Sequence, residues 1–186
     1  CIILKDMARP GLRRYFMYEY INTDPDCLMV RHENQHDSEA FRICTRTDEE
    51  IQTFVNFMSV AGGAIMLSDK LSLLDKKDID RIKTLFPINP KPAKPLDLFE
   101  RDIPSVFYYG KSGEFEIYAL FNWENYEDTL TVDFKGEKYA KTYYENKAYH
   151  AKKNFTITLK PHTSEIVYVA KNIGAFDKLK PFIMQD

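Results

Sequence analysis

The spacing of hydrophobic residues changes partway along the chain, and the change falls at a run of prolines. Before that run, strand-like and helix-like stretches alternate. Residues 15–22 (YFMYEYIN) are aromatic and β-prone and read as a strand, which Thr23-Asp24-Pro25-Asp26 breaks. In residues 45–63 (TRTDEEIQTFVNFMSVAGG), Thr47 and Glu50 have the spacing of a capping box. Ile51, Phe54, Val55 and Met58 then recur at i, i+3, i+4 and i+7, which is one face of a helix, and Gly62-Gly63 supplies its stop. Residues 64–69 (AIMLSD) form a short apolar run without alternation, the pattern of a strand buried on both faces, as in a parallel sheet. A second helix follows over 75–86: Asp75 caps it, Ile79, Ile82 and Leu85 make its stripe, and Pro87 ends it. The order β, α, β, α predicts parallel α/β architecture, either doubly wound or barrel.

The proline run at 87–95 (PINPKPAKP) carries four prolines and reads as a stiff, extended connector. Beyond it the period becomes two. Phe115, Ile117, Ala119, Phe121 and Trp123 share one face of a strand; Leu130, Val132 and Phe134 alternate with Thr129, Thr131 and Asp133; Phe155, Ile157 and Leu159 do the same. Turn signals separate these runs at the spacing of a small antiparallel sandwich. The chain therefore divides into an α/β part over 1–86, a connector over 87–99 and an antiparallel β-sandwich over 100–186. Two α/β units are too few to close a barrel.

Composition narrows the function. With 186 residues, 44% hydrophobic and 29% charged, the chain has the length and balance to build a packed core. A net charge of −2 offers nothing to neutralise a phosphate backbone, which argues against nucleic acid as a partner. No apolar run reaches the 18 residues of a membrane span. The cysteines, Cys1, Cys27 and Cys44, are odd in number and form no C-x-x-C pair, so a reducing, cytoplasmic location is expected. The formal glycosylation sequon at Asn154-Phe155-Thr156 lies inside an alternating strand pattern and reads as chance. Aromatic content is 14%, and tyrosine and phenylalanine serve both strands and sugar sites.

Several stretches could carry chemistry. His32-Glu33-x-x-His36 spells a zinc peptidase helix, but its neighbours RHENQHDSE offer no apolar face to dock such a helix and no third ligand, so it reads as a polar loop. Asp24 and Asp26 follow the first strand, the place where parallel α/β folds put their sites; the bland alternative is a turn, and a D-x-D metal site is a weaker one. Ser68 and Asp69 end the second strand and read chiefly as a cap for the next segment. Gly62-Gly63 lacks the pattern of a phosphate loop. Asn122, Trp123 and the tyrosines of 143–149 could form a sugar platform, although sandwich core and strand surface explain them better. No cofactor motif and no metal site are expected.

In order along the chain, YINTDPDCLMVR, MSVAGGAIMLSDKLSLL and KPLDLFERDIPSVF resemble the end of the catalytic barrel of α-galactosidases (melibiases), the family 36 glycoside hydrolases and their family 27 relatives. ALFNWE and LKPHTSEIVYVA are similar to the C-terminal β-domain of such enzymes. The resemblance implies the last two β/α units of a (β/α)8 TIM barrel, followed by the sandwich. It implies hydrolysis of terminal α-galactosides with retention, by a nucleophile and an acid/base aspartate about 5 Å apart on earlier strands. Both would lie upstream of Cys1, leaving no catalytic residue here and no cofactor. Asp26 would shape the galactose pocket, with Cys27 beside it and Asp24 in support. Carbohydrate would be the partner, and the family resemblance allows a homo-oligomer. The rival expectation is a non-catalytic carbohydrate-binding or interaction module.

Overall fold

Leu4, Ala8 and Leu12 recur every four residues, and helix α1 (Ile2–Arg13) turns all three to the interior. This computed structural model describes residues 2–32, 35 and 46–179. A short 3-10 turn (Tyr15–Glu19) follows α1 where the sequence suggests a strand. The difference has a physical cause. Among the described residues no strand pairs with these aromatics, and Tyr20 stands 85% exposed beyond them.

Strand β1 (Cys27–Leu28) and strand β2 (Met66–Leu67) form a two-stranded parallel sheet, with Cys27 opposite Met66 and Leu28 opposite Leu67. Helix α2 (Asp48–Ala61) connects them as expected. Thr47 Oγ1 accepts from Glu50 N at 3.2 Å while Glu50 Oε2 accepts from Thr47 N at 3.0 Å, so both halves of the capping box are made. Ile51, Phe54, Val55 and Met58 are all buried. Helix α3 (Lys76–Lys83) begins at Asp75, whose side chain accepts from Asp78 N at 3.0 Å. Ile82 and Leu85 are buried as the stripe predicts.

One expectation fails. The apolar run at 64–69 does form a strand parallel to its neighbour, but β2 is not buried on both faces: Met66 is 49% and Leu67 36% exposed. No described element covers them.

The rest of the chain is antiparallel. Its strands are β3 (Lys94–Pro95), β4 (Val106–Ser112), β5 (Phe115–Phe121), β6 (Asp128–Asp133), β7 (Lys138–Thr142), β8 (Ala148–Ala151), β9 (Asn154–Leu159) and β10 (Ser164–Ala170). Six pair in the order β3-β4-β5-β10-β7-β8, and β6 pairs with β9 as a second sheet. Alternation assigns the faces. Ile117, Ala119, Phe121, Ile166, Tyr168 and Ala170 turn towards α1 and α2 and share one core with Leu12, Phe54 and Phe57. Tyr118, Leu120, Val167 and Val169 turn the other way, onto Leu130, Val132, Phe155 and Leu159 of β6 and β9. The large sheet is thus the middle layer of three.

The proline run does not hang free. Ala93 N donates to Val60 O at 2.8 Å, and Lys94–Pro95 pair with β4 as the edge of the sheet. The following loop is clasped by Asp97, whose buried carboxylate accepts from the backbone N–H groups of Ser105 and Val106 at 2.9–3.1 Å. Trp123 stacks on Phe121 with ring centroids 4.8 Å apart and donates its indole N–H to Pro104 O at 2.8 Å. Asn122 Nδ2 lies 2.8–3.0 Å from the carbonyl oxygens of Tyr126, Leu159 and Lys160. Both residues belong to the architecture and neither forms a sugar platform.

Glu165 on β10 is a buried carboxyl group whose Oε1 accepts from the backbone N–H of Tyr143, Tyr144 and Ile166 at 2.9–3.0 Å. These bonds favour the carboxylate, but burial outweighs them and pushes the pKa up from 4.5 to about 7. Between those values the folded chain holds a proton that the unfolded chain has released. Stability therefore falls as pH rises from about 4.5 to about 7 and levels off above. Thermal melts from pH 4.5 to 8 should show this slope, and Glu165→Gln, which keeps an acceptor oxygen, should flatten it.

Candidate functional site

The parallel pair gathers the expected site residues. Ala64 N donates to Thr23 O and Ser68 N to Leu28 O, both at 3.0 Å, so the pairing extends beyond the two strands at both ends. Gly63 makes the near end feasible. Its φ is +81°, and a Cβ there would fall 2.1 Å from Thr23 O.

Asp24, Pro25 and Asp26 fill the approach to β1. They precede that strand rather than following one, because residues 15–22 form no strand. Asp26 N donates to Asp24 Oδ1 at 2.9 Å, and Cys27 N donates to Asp26 Oδ1 at 2.7 Å. Asp26 adopts a φ of 83°, a left-handed conformation that a residue with a Cβ takes at a cost. Pro25 is buried and anchors the turn, while both carboxylates remain exposed. Cys27 is a free, half-buried cysteine. Desolvation, and next the neighbouring Asp26 charge, push its thiol pKa up, which keeps the thiol protonated and a poor nucleophile.

At the far end stands a group whose role the sequence conceals. The Asp69 side chain is fully buried and pairs with the 8% exposed Arg31 at 2.9 Å. Its other oxygen accepts from Val30 N at 2.7 Å, and Arg31 also donates to Ser68 O at 3.0 Å. Asp69 therefore ties the exit of β1 to the exit of β2. The cap reading is corrected: the 3-10 turn after it (Leu71–Leu73) receives no side-chain cap. Arg31 and Asp69 each end a short apolar run within the stretches that carry the family resemblance, but nothing in either stretch pairs one with the other.

Glu33 and His36 lie outside the described residues. His32 is described, with Nε2 3.5 Å from Asp48 Oδ1 and 3.6 Å from Asp78 Oδ2. Among the described residues no three His, Cys, Asp or Glu side chains are grouped to hold a metal ion. No helix among them is long and apolar enough to cross a membrane.

No family model matches the chain, and no curated protein matches its sequence. Solved structures do match. A family 27 β-L-arabinopyranosidase from Geobacillus stearothermophilus superposes with a TM-score of 0.61 at 14% identity, over 90% of this chain and 43% of that one. An Asp-to-Ala variant of that enzyme holds arabinose. A Bacteroides fragilis protein provisionally named an alpha-galactosidase/melibiase gives 0.62 at 13% identity, over 90% of this chain and 38% of that one. A Bacillus halodurans protein provisionally named an alpha-N-acetylgalactosaminidase gives 0.56 at 15% identity, over 88% and 45%. The chain spans less than half the length of each. At these identities the likeness is one of fold, shared with part of each of these proteins, and the arabinopyranosidase is the one named as family 27.

The Arg31–Asp69 pair should be structural. Replacing Asp69 with Ala takes a carboxylate from a buried guanidinium and the acceptor from Val30 N–H, and should cost about 3–5 kcal/mol in urea unfolding.

Proposed function

We propose that these residues are the C-terminal portion of a retaining glycosidase acting on terminal α-galactosides. In this reading residues 1–86 are the last two β/α units of a TIM barrel, 87–99 the connector and 100–186 the β-domain. The nucleophile and acid/base lie upstream. Asp26 contributes a carboxylate that accepts from sugar hydroxyls, Cys27 is the neutral wall beside it, and Asp24 holds the turn through its bond to the Asp26 N–H.

The observation that carries the reading is the open parallel pair. Two parallel strands with apolar side chains on exposed faces are not a self-sufficient sheet, because parallel sheets occur with both faces covered. Further β/α units flanking β1 and β2 would cover Met66 and Leu67. The strained backbone at Asp26 supports a role for that residue, since such conformations cluster where function requires them. The solved neighbours favour the family 27 branch over family 36. Cytoplasmic location and homo-oligomeric assembly remain part of the proposal.

The test uses two polypeptides. The 186 residues alone should release no nitrophenol from p-nitrophenyl α-galactoside. The full reading frame containing them should do so with retention, followed by proton NMR of the first-formed anomer. Asp26→Ala in that full chain should raise KM at least about tenfold, the cost of one or two hydrogen bonds to a bound sugar. Turnover by the 186 residues alone overturns the reading, and so does a full reading frame without activity.

A further inference from the structure

A second place on the molecule has the chemistry of a carbohydrate site and shares no residue with the first. Where α2, α3 and the turn after β7 meet, they line an open groove of about 640 Å³. That volume lies within the range of small-molecule sites.

Tyr144 lines it and is held by three hydrogen bonds. The hydroxyl donates to Asn56 Oδ1 at 2.7 Å and accepts from Gln52 Nε2 at 2.8 Å. The backbone N–H donates to the buried Glu165 carboxyl at 2.9 Å. Tyr143 packs against the ring edge to face, with centroids 5.1 Å apart and planes at 84°. With its hydroxyl engaged, Tyr144 is still 39% exposed and lines the groove. A pre-set ring costs little ordering entropy on binding.

The walls decide which ligand fits. Lys76, Lys77 and Arg81 line the groove, and each already has a carboxylate. Arg81 reaches Asp78 at 2.9 Å and Asp48 at 3.1 Å, Lys77 pairs with Asp48, and Lys76 lies 3.7 Å from Asp80. An anion would have to displace these partners. A neutral ligand need not displace them: Asp80, half exposed and 2.9 Å from Lys83, has further lone pairs to accept from hydroxyls, and the Arg81 guanidinium carries five N–H donors. An aromatic plane ringed by charge-balanced planar groups suits the C–H face and hydroxyls of a pyranose.

We propose that this groove is a non-catalytic binding site for a neutral saccharide, separate from the pocket wall around Asp26. The inference does not need the glycosidase reading. Loss of turnover in the full reading frame would leave it standing, and loss of binding here would leave turnover untouched.

The experiment is a 1H–15N NMR titration of the 186-residue chain with melibiose, with inorganic phosphate run separately. Melibiose should shift the Tyr143 and Tyr144 amide resonances saturably, and phosphate should not. Tyr144→Ala should weaken binding at least about tenfold through loss of the ring. Asp80→Ala, at a half-exposed side chain outside the core, should weaken it about threefold or more through loss of an acceptor. The proposal is overturned if melibiose shifts no groove resonance, if phosphate shifts them instead, or if folded Asp80→Ala binds unchanged.

Discussion

The structure depends on one requirement: a single antiparallel sheet has to be covered on both faces. Along β5 and β10 every residue from Ile117 to Phe121 and from Ile166 to Ala170 is apolar, so neither face can meet water. One face takes helices α1 and α2, and the other takes the β6–β9 pair. The two halves that differ in period along the sequence are therefore joined through a common core. Phe54, Phe57, Phe107 and Phe121 are the large side chains at its centre, each contributing about 2–3 kcal/mol by burial. Polar bonds add register to that contact. Thr53 Oγ1 donates to His162 O at 3.0 Å and Asn56 Nδ2 to Ser164 Oγ at 2.8 Å, setting α2 against the start of β10.

Much of this was legible in the sequence because the signals were local. Thr47 and Glu50 stand three residues apart and satisfy each other's backbone, so the start of α2 could be read without knowing its neighbours. The alternation of Leu130, Val132, Phe155 and Leu159 likewise reports one wet face and one dry face. Residues 15–22 misled because β-propensity describes a side chain's fit to a sheet, and no sheet is present there. Met66 and Leu67 misled in the opposite sense, since an apolar run does not say whether its cover lies on the same stretch of chain.

The candidate site was half legible for the same reason. Thr23-Asp24-Pro25-Asp26 announces a turn with two acids, and the turn is there. Its position before β1 could not be foreseen once the preceding residues were read as a strand. The Arg31–Asp69 pair spans 38 residues and rests on the parallel alignment of two strands, which no local pattern encodes. Tyr144 owes its fixed ring to Gln52 and Asn56, about ninety residues away in the chain.

The margin of the large sheet at β3 has a bearing on solubility. Open strand margins invite neighbouring chains to add on, and proteins blunt them with short strands, charge and proline. This margin is two residues long and consists of Lys94 and Pro95, an ammonium-bearing residue and one with no N–H to donate. A fibril could not readily grow from it. The opposite margin, β8, is four residues long and has neither proline nor a lysine among Ala148, Tyr149, His150 and Ala151, so of the two margins it is the better template for a neighbouring chain.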